Sequence, residues 1–123
     1  MAYPAKVLIV DDEASLVQLC QFLLESEGYD VRGTTSSRQA LHMINEEMPD
    51  IVVLDVMMPI MNGIELCRQI RSQYQNRSPV ILMCTADASL ETERRGRAAG
   101  ATDFMLKDSL VHDLPRKIGA YVS

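Results

Sequence analysis

The sequence predicts an α/β fold, a single doubly wound parallel sheet with helices on both faces. Three observations predict it. Short apolar runs of strand length alternate with stretches of helical spacing, giving about five βα units. No repeat or low-complexity linker interrupts the alternation, so residues 1–123 read as one domain. Polar residues follow the apolar runs directly, where open α/β sheets build their sites.

Residues 6–10 read as a buried strand. Residues 14–27 read as a helix, with Leu16, Leu19, Cys20 and Leu23 as its apolar stripe and Gly28 as its stop. Residues 30–34 are more polar and suit an edge strand. Residues 37–47 carry Ala40, Leu41, Ile44 and Met48 on one helical face before Pro49. Residues 51–54 are wholly apolar, as a strand covered on both faces requires. Residues 58–63 form a loop, and a helix over 63–74 buries Ile64, Cys67 and Ile70.

Pro79 opens a strand over 80–84. Residues 88–99 form a helix that Gly96 weakens by about 1 kcal/mol relative to alanine. The last strand is expected over 102–106 and the last helix over 110–121. Pro115 suits that helix only near its first turn. The two most apolar strands, 51–54 and 80–84, should be central, with 6–10 beside 51–54. Right-handed crossovers join them.

The bulk composition narrows the function. Apolar residues make up 47% and charged residues 24%, the balance of a globular protein that buries a core. A net charge of −5 argues against nucleic acid or an anionic membrane as partner. No apolar run reaches the ~20 residues a membrane span needs. The start, residues 1–6, lacks the apolar region of a signal peptide. Cys20, Cys67 and Cys84 are odd in number and sit in apolar patterns, so they read as buried, reduced thiols. A cytoplasmic location is the default expectation.

Five polar groups point to chemistry. Asp11 and Asp12 end the run Val7–Val10, and Asp55 ends Ile51–Leu54. Thr85 ends Val80–Cys84, and Lys107 ends Phe104–Leu106. A helix cap accounts for one of Asp11 and Asp12, not both. No helix begins within several residues of Asp55, so capping explains it poorly. Thr85 alone reads as a cap, and Lys107 alone as a surface lysine. Taken together, oxygen ligands without His or Cys suit Mg²⁺ or Mn²⁺. A lysine and a hydroxyl beside the ion suit a phosphoryl group, and a carboxylate nucleophile yields an acyl phosphate.

The chain resembles the receiver domain of two-component response regulators over nearly its whole length. The matching pieces are Val10-Asp11-Asp12-Glu13, Leu54-Asp55-Val56-Met57-Met58-Pro59, Asn62-Gly63, Thr85-Ala86, Gly100-Ala101 and Lys107. The resemblance implies the flavodoxin-like strand order 2-1-3-4-5. It implies that Asp55 accepts a phosphoryl group from a sensor histidine kinase or phosphotransfer protein. Asp12, Asp55 and the Met57 backbone carbonyl would hold Mg²⁺ directly, with Asp11 acting through water. Thr85 and Lys107 would bind phosphoryl oxygens, and Phe104 would turn inward as Thr85 moves. An output protein or domain would then read the fourth helix, last strand and last helix. Such a chain is a signalling domain, not an enzyme acting on an external substrate.

Two departures stand out. Asp108 follows Lys107 where the family usually has a proline behind a cis bond, so a trans bond is the cheaper state here. Its carboxylate is expected to pair with Lys107. Pro115 interrupts the last helix. A degenerate receiver that only binds partners is therefore an alternative. An aspartyl phosphatase of the haloacid dehalogenase type is another, but it wants an acid where Met57 stands. Arg94, Arg95 and Arg97 read as a solvated face or a partner patch. Met57, Met58 and Met61 read as adaptable apolar cover. His42 and His112 receive no role.

Overall fold

The computed structural model describes residues 4–122. The reading of Met1-Ala2-Tyr3 lies outside them. Five strands, β1 (Lys6–Val10), β2 (Asp30–Thr34), β3 (Ile51–Asp55), β4 (Val80–Thr85) and β5 (Asp103–Leu106), alternate with five helices. These are α1 (Ala14–Glu25), α2 (Ser37–Glu46), α3 (Gly63–Gln73), α4 (Leu90–Ala98) and α5 (Leu110–Val122). All pairings are parallel, in the order β2-β1-β3-β4-β5. β3, apolar over Ile51–Leu54, is central, with β1 and β4 on either side, and the polar β2 lies at an edge.

Side chains alternate across a strand, so each strand feeds two cores. Leu8, Val10, Val52, Leu54, Ile81 and Met83 pack under α2 and α3, against Ala40, Ile44, Ile64, Cys67 and Ile70. Val7, Ile9, Ile51, Val53, Leu82 and Cys84 pack under α1 and α5, against Val17, Cys20, Leu24, Leu114 and Ile118. Each fully buried Leu or Ile contributes roughly 1.5–3 kcal/mol relative to exposure. The three cysteines are free and buried, as expected.

Three local expectations change. The buried stripe of α1 is Val17, Cys20 and Leu24, while Leu19 is exposed. This helix has more apolar residues than one stripe holds, and Phe22 is also exposed. Pro115 lies inside α5, past its first turn. Proline has no N–H, so the Val111 carbonyl loses its partner in the helix, and Val111 itself faces solvent. A 3₁₀ turn over Lys107–Ser109 leads straight into α5.

Two glycines explain close approaches. A Cβ at Gly63 would strike the Asp55 backbone carbonyl, so only glycine lets α3 start against the end of β3. Asn62 caps that helix by accepting from the Glu65 N–H at 2.9 Å. Gly100 follows α4 with φ +109°, a left-handed C-terminal position. The Arg71 stem fills the space where its Cβ would point. Arg71 in turn donates to the Gly100 carbonyl at 2.8 Å and to Thr102 Oγ1 at 3.1 Å, which ties α3 to the turn before β5.

Ile60, in the loop before α3, has φ +70° and is 98% exposed. A β-branched residue in this region is strained by about 1–3 kcal/mol and here gains no packing in return. Ile60→Asn should therefore raise stability by about 1 kcal/mol, since asparagine tolerates the left-handed region. Urea unfolding checks this. An equal or lower midpoint would mean that the loop carries no such strain.

Candidate functional site

The C-terminal edges of β1, β3 and β4 bring the acidic and hydroxyl positions together. Asp11 follows β1, and its backbone N–H donates to the Thr34 carbonyl of β2 at 3.2 Å. Asp55 ends β3 opposite Cys84 of β4, so Thr85 lies one residue further along the same edge. One carboxylate oxygen from each of Asp11, Asp12 and Asp55 lies within 4.8 Å of the others. Asp11 and Asp55 are buried, whereas Asp12 faces solvent.

Lys107 completes the cluster. Its Nζ lies 3.1 Å from Asp11 Oδ2 and 3.3 Å from Asp55 Oδ2. Glu13 Oε1, 3.5 Å from Nζ, is a fourth acid, one that its sequence position alone gives no role. Its place directly after the acidic pair signals only its nearness to the site. No pair forms between Lys107 and Asp108 among the described residues, which corrects that expectation. The short β5 ends by pointing the lysine back across the sheet edge toward β1 and β3, and Asp108 is exposed. The described residues contain no cis peptide, so the bond after Lys107 is trans.

The buried carboxylates are incompletely satisfied. Asp55 Oδ1 accepts from the Met57 N–H at 3.2 Å, and Asp11 Oδ1 from the Glu13 N–H at 2.9 Å. Asp55 Oδ2 faces the lysine, yet it is the buried side-chain atom among the described residues with no hydrogen bond. Burial, reinforced by Asp11 and opposed by Lys107, pushes the Asp55 carboxyl up to about 6. Burial also raises Asp11, against the pull of the Glu13 N–H and Lys107. Burial pulls the Lys107 ammonium down, but Asp11 and Asp55 outweigh it and hold its pKa above the ordinary lysine value.

This donor set fits a hard divalent cation. Oxygens of Asp11, Asp12 and Asp55 converge, Lys107 pairs with two of these acids, and one buried oxygen lacks a hydrogen bond. Thr85 is buried at the same edge, its Oγ1 accepting from the Asp87 N–H at 2.9 Å. A cleft of about 230 Å³ opens beside it, its lining including Thr85, Phe104 and Leu106 and the polar Asp87, Ser89 and Glu93. Of the three loop methionines, Met58 is buried and Met61 partly so. Met57 is 69% exposed at the rim. The Ser37 hydroxyl donates to the Met61 carbonyl at 2.7 Å, tying this loop to the start of α2.

The sequence model of the response regulator receiver domain matches residues 7–118. The chain belongs to the response regulator receiver family. The chemotaxis protein CheY4 of Vibrio cholerae is 34% identical, with a TM-score of 0.90 over 97% of this chain and 99% of that one. The receiver domain of response regulator 1452 from Francisella is 28% identical, with a TM-score of 0.87 over 95% of each chain. The signal receiver domain of a histidine kinase from Syntrophus aciditrophicus is 26% identical, with a TM-score of 0.86 over 96% and 89%. The receiver fold thus accounts for the strand order and for the edge on which the acids meet.

Outside the cluster, the basic residues of α4 pair locally. Arg97 Nε lies 3.0 Å from Glu93 Oε2, and Arg94 is 3.7 Å from Glu91. Such exposed pairs contribute little to stability. No helix of the described residues is long and apolar enough to cross a membrane.

Proposed function

We propose that this receiver domain is a phosphorylation-controlled signalling switch in which Asp55 takes a phosphoryl group from a partner's phosphohistidine. The observation that carries this reading is the meeting of Asp11, Asp12, Asp55 and Lys107 at one sheet edge. An Asp55 carboxylate oxygen attacks phosphorus as the N–P bond breaks. The electron pair of that bond leaves with the imidazole nitrogen, and an acyl phosphate forms. Lys107 meets one phosphoryl oxygen, Thr85 donates its hydroxyl to another, and the Asp11 charge keeps Lys107 oriented. Positioning and fixed charge carry such a transfer.

Asp12, Asp55 and the Met57 carbonyl are the groups that would hold Mg²⁺, with Asp11 behind a water. Bound there, the ion neutralises charge on the phosphoryl oxygens and offsets carboxylate repulsion. The domain acts on its own aspartate and turns over no external substrate. Its partners are a sensor histidine kinase or phosphotransfer protein and an output protein or domain. Three buried free thiols suit a reducing, cytoplasmic setting. The degenerate-receiver alternative rests on Asp108 in place of the usual proline; the bond after Lys107 is trans, but Lys107 still reaches Asp11 and Asp55.

The direct test is intact mass after incubation with Mg²⁺ and phosphoramidate. One added phosphoryl group is expected, and none without the ion. A second expected result concerns transmission. Beryllofluoride with Mg²⁺ should shift amide resonances in α4, β5 and α5 as well as around Asp55. Shifts confined to the loops around Asp55 would mean that the signal does not reach that face.

A further inference from the structure

Phe104 and the α4 residues around it suggest how this switch is held in its resting position. The ring tip lies against the α4 backbone at Gly96. A Cβ there would collide with it and would also come within 3.1 Å of Met83 Sδ. The glycine that weakens the helix is therefore the seat of the ring. On the open side, the Arg97 guanidinium lies over the ring, its Cζ 5.2 Å from the centroid. Acids fix that guanidinium from two elements. Glu93 holds Nε at 3.0 Å, and Asp103 Oδ1 lies 3.9 Å from a terminal nitrogen. Asp103 is itself anchored, accepting from Lys117 at 2.8 Å and from the Tyr121 hydroxyl at 2.9 Å.

A second place for the ring lies alongside. The cleft between Thr85 and α4 is about 230 Å³, and Phe104 already forms part of its wall. Its walls mix the apolar Ala88, Met105 and Leu106 with Thr85, Asp87, Ser89 and Glu93, so a ring seated there packs on one side and stays partly open to solvent on the other. The ring thus has two alternatives, the Gly96 seat under Arg97 and the cleft beside Thr85.

We propose that Arg97 is a positioning residue that latches Phe104 onto Gly96 and so biases the unphosphorylated switch away from the cleft-seated state. This deepens the proposed function and rests on it. A ring that leaves for the cleft gives up its cation–π contact, which an exposed site makes worth a factor of about two to five in population. Lys117 and Tyr121 link the latch to α5, because they fix Asp103, the second acid beside the guanidinium. A partner that binds Arg97 or Asp103 would therefore release the ring as well as read it.

The test uses the whole chain labelled with ring-¹³C phenylalanine. It has two phenylalanines, and Phe22→Leu assigns them. Ring spectra are recorded without ligand and with Mg²⁺ plus beryllofluoride. In Arg97→Met, which keeps an apolar stem and removes the charge, the ligand-free Phe104 signal should move toward its beryllofluoride position. The population change is about two- to fivefold, and beryllofluoride affinity should rise by the same factor, because the coupling is reciprocal. Arg97→Lys should restore part of both effects. Gly96→Ala, which blocks the seat by bulk, should move the signal the same way by an independent route. The latch is overturned if beryllofluoride moves the parent signal while Arg97→Met matches the parent in both readouts. A parent signal that ignores beryllofluoride, in protein that still takes up phosphate, removes the Phe104 switch and the latch with it. Absence of phosphate uptake instead refutes the function on which both rest.

Discussion

Asp55→Asn should take up no phosphoryl group from phosphoramidate under conditions that label the parent fully, and it should be the more stable protein at neutral pH. The first effect follows from position. Asp55 is 2% exposed, ends the central strand and offers one oxygen that no hydrogen bond engages. Asp11 makes equivalent contacts, to the Glu13 N–H and to Lys107 at 3.1 Å, but it follows β1 and does not end the central strand. Asp12 faces solvent without the lysine. Undiminished labelling of Asp55→Asn would sink the assignment. The second effect has a sign that can be worked out. The folded-state carboxyl sits at about 6, above its ordinary 3.8, so the folded protein holds this proton more tightly than the unfolded chain. Ionising Asp55 therefore costs stability as pH rises from about 4 to above 6. The whole gap corresponds to ~3 kcal/mol. Lys107 loses one partner in the variant, so the net gain at pH 7 should be ~1–2 kcal/mol. It should fade as pH falls toward 4. Urea unfolding of metal-free protein at pH 4 and 7 measures it, and a gain unchanged between the two pH values would contradict the electrostatic cause.

The strands were the most legible part of the chain. Apolar runs such as Ile51–Leu54 have no alternative to burial on both faces, and their C-terminal ends necessarily share an edge once the strands are parallel. That is why Asp11, Asp12, Asp55, Thr85 and Lys107 group together on the sequence alone. Helix faces were less legible where apolar residues outnumber the buried positions. In α1, Val17 and Leu24 pack into the core under the sheet with Leu114 and Ile118 of α5, while Leu19 and Phe22 lie on the solvent side. Ile60 gave no sign of its left-handed backbone, because the usual signal is glycine or asparagine. The direction of Lys107 was also hidden. Asp108 is its neighbour in sequence, but three acids from other segments are its partners in space. Gly96 read only as a weak point in a helix. Its use as a seat for Phe104 depends on a contact between α4 and β5 that spacing does not reveal.

Asp12→Ala should weaken Mg²⁺ binding by about tenfold or more, some 1.4 kcal/mol at the least, while leaving the fold intact. Asp12 contributes one of three converging carboxylate oxygens and lies on the solvent side of the cluster, so its removal opens no cavity in either core. The loss is therefore attributable to the ion and not to damage. Calorimetric titration at fixed ionic strength reads the affinity directly. Thermal unfolding gives an independent reading, because an ion that binds only the folded state stabilises it by about 2.7 kcal/mol at a hundredfold excess over Kd. The parent should show that stabilisation and the variant should show much less. Protons compete for the same oxygens. The Asp55 carboxyl must be ionised to bind the cation, so apparent affinity should fall as pH drops through about 6. Asp11, also raised by burial, should steepen the fall. The variant retains both buried acids, so its weaker binding should follow the same pH trend. Equal affinity in parent and variant would remove Asp12 from the ligand set. A parent affinity flat between pH 7 and pH 5 would remove Asp55.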